Sequence, residues 1–68
     1  MKTGKYQHYK GNYYNVLGVA KHSETEEEYV VYQALYGNGG LWIRPKEMFL
    51  ENVTVDGKEV PRFTFVGE

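Results

Sequence analysis

The sequence predicts an all-β domain: a small, partly open SH3-like barrel of about five antiparallel strands with one short helical turn. Three observations carry that prediction. Apolar and polar residues alternate in short runs, turn-forming residues punctuate those runs at close intervals, and almost no stretch shows a helical period. The chain has 68 residues, which suits one domain over 1–68 with one thin core, since a chain this short hides only roughly 60% of the surface its unfolded form exposes. Curling the sheet on itself is economical because closure hides edges that would otherwise recruit other chains. An open antiparallel sheet with one short helix is the second architecture.

KYQHY at 5–9 alternates and predicts a first strand, ended by Lys10-Gly11, where glycine admits a tight turn. YYNVLGVAK at 13–21 predicts a longer strand with Tyr14, Val16 and Ala20 on one face and Tyr13, Leu17 and Val19 on the other. Gly18 in its middle marks a bulge or bend. HSETEEE at 22–28 is a polar excursion in which Ser23 with Glu26, or Thr25 with Glu28, has the spacing of a capping box for one helical turn.

Residues 29–36 give the strongest strand signal. Val30, Tyr32, Ala34 and Tyr36 share one face and Tyr29, Val31, Gln33 and Leu35 the other, so a central strand covered on both sides is expected. GNGG at 37–40 supplies a hairpin turn tolerant of positive φ. LWIR at 41–44 returns, with Leu41 and Ile43 expected inward and Trp42 and Arg44 together on the opposite face. Pro45 lacks the N–H a ladder needs and ends that strand. KEMFLEN at 46–52 is too short for an independent helix, and suits one turn plugging the open end with Met48 and Phe49 or Leu50. Asp56-Gly57 between VTV and KEV is a two-residue hairpin signal. Pro61 interrupts the returning strand, and RFTFV at 62–66 makes the last one, with Phe63 and Phe65 on one face.

Composition narrows the function classes. Cysteine is absent, which excludes a disulfide framework and a thiolate nucleophile. No apolar run approaches the length of about 18 residues that a membrane helix needs. MKTGKYQHYKG at the start lacks the apolar segment of a signal peptide, so a cytoplasmic protein is expected. The net charge of −1 argues against a surface devoted to phosphate backbones. The charge is nevertheless uneven: Lys2, Lys5, Lys10 and Lys21 precede any acid, and Glu24, Glu26, Glu27 and Glu28 then follow together.

His8 and His22 are the only histidines. Without cysteine they are too few for a structural zinc site, and no metal or cofactor is expected. His8 is expected to alternate in an edge strand. Ser23 beside His22 lacks the strand-turn-helix setting of a nucleophile elbow, and Ser23 or Thr25 is better employed capping a turn. The glutamate cluster lacks the spacing and internal glycine of a calcium loop, and GNGG is not followed by the lysine and helix that a phosphate cradle requires.

The aromatics carry more. Seven tyrosines, three phenylalanines and one tryptophan exceed what so thin a core can hold dry, because each buried hydroxyl needs a partner or costs about 1–3 kcal/mol. Several rings must lie against the core with their polar ends in water. Ordinary amphipathic packing explains such rings, and so does a binding groove. The groove's candidates are Tyr9, Tyr13, Tyr32, Tyr36, Trp42 and Arg44.

GKYQHYKG at 4–11, HSET at 22–25, VVYQALYG at 30–37, LWIRP at 41–45, MF at 48–49 and VPRF at 60–63 occur in order along nearly the whole chain. In these blocks the sequence resembles the DUF1653 family. The resemblance implies a stand-alone small bacterial domain and brings no activity, substrate, cofactor or catalytic residue with it. The first functional reading is therefore a non-catalytic module that binds a peptide or protein through an aromatic-lined surface. The second is a single-stranded nucleic-acid-binding module, with Lys5, Lys10, Lys21, Arg44 and Lys46 surrounding the rings. The third is a small enzyme or accessory domain using His22, Glu24, Arg44 and Arg62. Thin cores and open edges also make a homodimer compatible with each of these.

Overall fold

The computed structural model describes all 68 residues. In chain order the elements are β1 (Gly4–His8), β2 (Tyr13–Lys21), β3 (Glu28–Ala34), β4 (Leu41–Pro45), α1 (Lys46–Phe49), β5 (Asn52–Val55), β6 (Lys58–Pro61) and β7 (Phe63–Gly67). Five strands form one antiparallel sheet in the order β4-β3-β2-β1-β7, and β5 pairs with β6 in a separate ribbon. The all-β prediction with one helical turn agrees with this architecture. The curled sheet stays open, because β4 and β7 form its two edges and do not pair with each other.

The core lies on one face of the sheet. Tyr6 from β1, Val16 from β2, Val30 and Tyr32 from β3, Phe49 from α1 and Phe63 from β7 form it, with Tyr14 and Phe65 packed against it. Phe49 is the plug: it is 1% exposed, whereas Met48 and Leu50 on either side of it face solvent. Its ring lies parallel to that of Phe63, centroids 4.0 Å apart and planes within 5°. The Asp56-Gly57 turn has positive φ at both residues, 50° and 78°, the combination that twists a two-residue hairpin in the sense strands prefer.

Several expectations are corrected by the register. The bulge falls between Val16 and Gly18, so Leu17 is the extra residue and the alternation inverts beyond it. Val19 then stands opposite core-facing Val30, and Ala20 opposite Tyr29, the reverse of an uninterrupted strand. β3 is internal to the sheet, but only its Val30–Tyr32–Ala34 face is buried; Tyr29, Val31 and Gln33 are half-buried. In β4, Trp42 pairs with Tyr32 and Arg44 with Val30, so this pair takes the core face. Leu41 and Ile43, expected inward, lie on the outer face at 65% and 64% exposure. The alternation was right and the face was inverted, because both faces of this edge strand carry apolar side chains.

Two polar predictions also change. β1 lies between β2 and β7, so His8 is not in an edge strand. The 22–28 excursion makes a turn without a helix or a capping box. His22 caps it: its Nδ1 accepts the N–H of Glu24 at 3.1 Å and of Thr25 at 3.3 Å, and Thr25 Oγ1 accepts the N–H of Glu27 at 3.1 Å.

Candidate functional site

The β1–β2 and β3–β4 turns lie at the same end of the sheet, where Tyr14 pairs with Ala34 and the Leu35 N–H donates to the Tyr13 carbonyl. At this end the aromatic core runs out to the surface. Tyr32 and Phe63 are its buried floor, with centroids 5.6 Å apart. Half-buried Tyr14 stands over them, edge-on to Tyr32 at 5.3 Å and to Phe63 at 5.7 Å. Its hydroxyl is 2.7 Å from that of Tyr36. β3 stops at Ala34, so Tyr36 stands in the exposed turn instead of continuing the core face. Gln33 steadies that turn by donating from Nε2 to the Gly39 carbonyl at 3.0 Å.

His8 completes the layer. Its ring meets Phe63 edge-on at 4.9 Å, and Tyr9 packs on it at 4.5 Å. Nδ1 accepts the Lys10 N–H at 3.1 Å, which leaves the proton of the neutral ring on Nε2. Burial holds the His8 pKa below its ordinary value, and the charges of Arg44, Arg62 and Lys10 push it the same way. Arg44 donates from Nε to the Tyr32 hydroxyl at 3.3 Å, and its guanidinium carbon lies 5.8 Å from the Phe63 centroid. Trp42, opposite Tyr32, is 55% exposed and shares this face.

The surface is therefore an open shelf. Tyr32, Phe63, Tyr14 and His8 make its floor, and Tyr9, Tyr36 and Trp42 rise at its margin with Arg44 among them. It forms no enclosed pocket. No group of three or more histidine, aspartate or glutamate side chains converges as metal ligands would.

Residues 4–65 match the family described as protein of unknown function (DUF1653). A crystal structure of a protein of that family from Bordetella bronchiseptica is 39% identical, with a TM-score of 0.91 over 98% of this chain and 88% of that one. The chain belongs to the DUF1653 family. No curated protein matches it.

In this DUF1653 domain, five of the six residues expected at a groove gather on the shelf side: Tyr9, Tyr32, Tyr36, Trp42 and Arg44. Tyr13 does not. It pairs with Gln7 while its neighbour Tyr14 pairs with buried Tyr6, so Tyr13 faces the outer side, where Lys5 Nζ sits 4.6 Å from its ring centroid. Tyr14, His8 and Phe63 belong to the shelf and were missed. Tyr14 was visible in the alternation, as the residue sharing a face with Val16. His8 and Arg44 both lie against Phe63, which joins strands that are not adjacent and leaves no local sign.

The enzyme set does not assemble. His22 packs against Tyr29 at 6.1 Å on the outer face, whereas Arg44 lies on the core face. Arg62 donates to the Met48 carbonyl and to Glu51 Oε1, each at 3.2 Å. Of the cations expected around the rings, Arg44 lies on the shelf and Lys10 Nζ is 5.8 Å from the Tyr9 ring centroid, while the other three are dispersed. Lys5 is on the outer face, Lys21 stands across from Glu28, and Lys46 pairs with Glu28 at 3.4 Å.

Proposed function

We propose that this DUF1653 domain is a binding module that takes an extended peptide segment on the shelf formed by Tyr9, Tyr14, Tyr32, Tyr36, Trp42 and Arg44. The observation that supports it is the run of touching rings from buried Tyr32 through Tyr14 to Tyr36, beside which Trp42, opposite Tyr32 on the same face, stands more than half exposed. Flat, rigid rings offer contact area at small entropic cost, and hydroxyl and indole N–H groups at their edges supply hydrogen bonds to a peptide backbone. Small β domains take proline-rich and other extended chains on surfaces of this kind.

Trp42 is the only tryptophan, so its fluorescence reports on the shelf directly. Titration with blocked proline-containing peptides that carry an apolar side chain is expected to change its emission saturably. Trp42→Ala is expected to weaken binding, followed by NMR shifts of the tyrosine rings, while leaving the melting temperature nearly unchanged. Binding whose shifts map to the outer face around Leu41 and Ile43, with the tyrosines undisturbed, contradicts the reading.

A further inference from the structure

We propose that Arg44 is the seat for a carboxylate, so that the shelf selects extended peptides in which an apolar and an acidic side chain stand two residues apart; this rests on the peptide-binding reading above and adds the ligand's charge and spacing. The chain has two arginines, and they are used differently. Arg62 is neutralised by Glu51. Arg44 has no carboxylate partner: its protein hydrogen bond runs from Nε to the Tyr32 hydroxyl. No fully buried side-chain nitrogen in the structure lacks a partner, so its two terminal amino groups, which make no protein hydrogen bond, are not sealed from solvent.

The Arg44 stem is thus held while its fork is free. Tyr32 fixes one edge of the guanidinium, Phe63 lies beneath it, and the open amino groups present the paired donors that match the two oxygens of a carboxylate. A donor held in place before binding loses less freedom when the ligand arrives. The surroundings favour an anion as well. Arg44 and Lys10 both act on His8, Lys10 with its Nζ 5.8 Å from the Tyr9 ring centroid, whereas the charges of Arg62 and Glu51 offset each other. A chain with a net charge of −1 therefore carries a cationic spot at its aromatic shelf.

Spacing follows from β4. Trp42 and Arg44 are two residues apart on one face of a strand, which separates them by about 6.5–7 Å. An extended ligand repeats that spacing, so a ring or branched side chain set against Trp42 puts a carboxylate two residues away at Arg44.

The test compares blocked hexapeptides by Trp42 fluorescence and by the NMR signal of the Arg44 Nε–H. One carries phenylalanine and glutamate two residues apart, in either order. A second has glutamine in place of glutamate, and a third has the two side chains adjacent. The acidic peptide with the two-residue spacing is expected to bind about tenfold tighter than the other two, the worth of one charge-assisted hydrogen bond. Arg44→Gln is expected to erase the preference for acid. Equal binding of the acidic and glutamine peptides to the unmodified protein overturns the proposal and leaves peptide binding standing. Binding of none of them removes both readings. A shift of the Arg44 signal with inorganic phosphate or a mononucleotide, but with no peptide, assigns the fork to another ligand class and overturns the proposal as well. The comparison between peptides requires no variant, so it stands even if Arg44→Gln fails to fold.

Discussion

The hydroxyls of Tyr14 and Tyr36 meet at 2.7 Å, tying the β3–β4 turn to the neighbouring strand across 22 residues of sequence. Burial pushes the Tyr14 pKa up to about 12, helped by that hydrogen bond. A raised folded pKa means that the unfolded chain ionises first as pH climbs. The stability Tyr14 contributes is therefore complete below about pH 10 and is lost as pH rises from there towards 12. Absorbance titration at alkaline pH should show tyrosines ionising late, Tyr14 among them alongside Tyr6 and Tyr29, whose pKa values are also raised. In Tyr36→Phe the Tyr14 ionisation should move to lower pH while staying above the ordinary 10.0, because the burial remains. Late ionisation wholly unchanged by the substitution contradicts the assignment.

Phe49 is the core's largest fully buried side chain and comes from a helix of four residues. Such a helix has no stability of its own, so packing must hold it. Phe49→Ala is expected to cost about 3–5 kcal/mol, against a total of roughly 3–10 kcal/mol for a chain of this length. The variant should be largely unfolded in mild urea. Met48→Ala and Leu50→Ala, whose side chains face solvent, should each shift stability by less than about 0.5 kcal/mol. Urea melts of the three variants separate these outcomes.

What was legible in the sequence was local. Asp56-Gly57 announces its hairpin, Gly18 marks the bulge, and Met48-Phe49 suggests the plug. What was lost is the consequence of each signal elsewhere. One extra residue at Leu17 moves Val19 onto the core face and Ala20 off it, which alternation alone does not register. Leu41 and Ile43 look like core residues because hydrophobicity does not say which side of an edge strand is covered. The shelf was half readable for the same reason. Strand parity puts Tyr32 with Trp42 and Arg44 once the register is known, and the same parity turns Tyr13 away from Tyr14. Contacts such as His8 with Phe63 depend on β1 and β7 pairing, which no short-range pattern encodes.

Gly4 and Gly18 separate two uses of glycine. Gly4 has φ of 124°, and a Cβ built there falls 2.7 Å from the Gly67 carbonyl oxygen. Any side chain must displace the backbone where β1 meets β7. Gly4→Ala is expected to destabilise by about 1–3 kcal/mol. At Gly18 a Cβ meets nothing within 4 Å and φ is not left-handed, so Gly18→Ala should change stability by less than about 0.5 kcal/mol. Denaturation midpoints of the two variants test the contrast, and a severe loss at Gly18 would show that the bulge needs more than the space around it.

His8 links the fold's acid sensitivity to the candidate site. Its folded pKa lies below 6.5, lowered by burial and then by Arg44, Arg62 and Lys10. The unfolded chain therefore takes up this proton first on acidification. Stability is unaffected by His8 above about pH 6.5 and falls as pH drops from there to the folded pKa. His8→Asn keeps an acceptor for the Lys10 N–H and removes the titration, so its melting temperature should fall less than that of the unmodified protein between about pH 7 and pH 5. Carboxylates common to both proteins cancel in that difference. Arg44→Gln removes one of the opposing charges and leaves the burial, so the His8 ring signal followed by NMR should titrate at a higher pH, still short of 6.5. An unmoved His8 titration in that variant would mean that the Arg44 charge does not reach the imidazole, and the cationic character assigned to this corner of the shelf would fall with it.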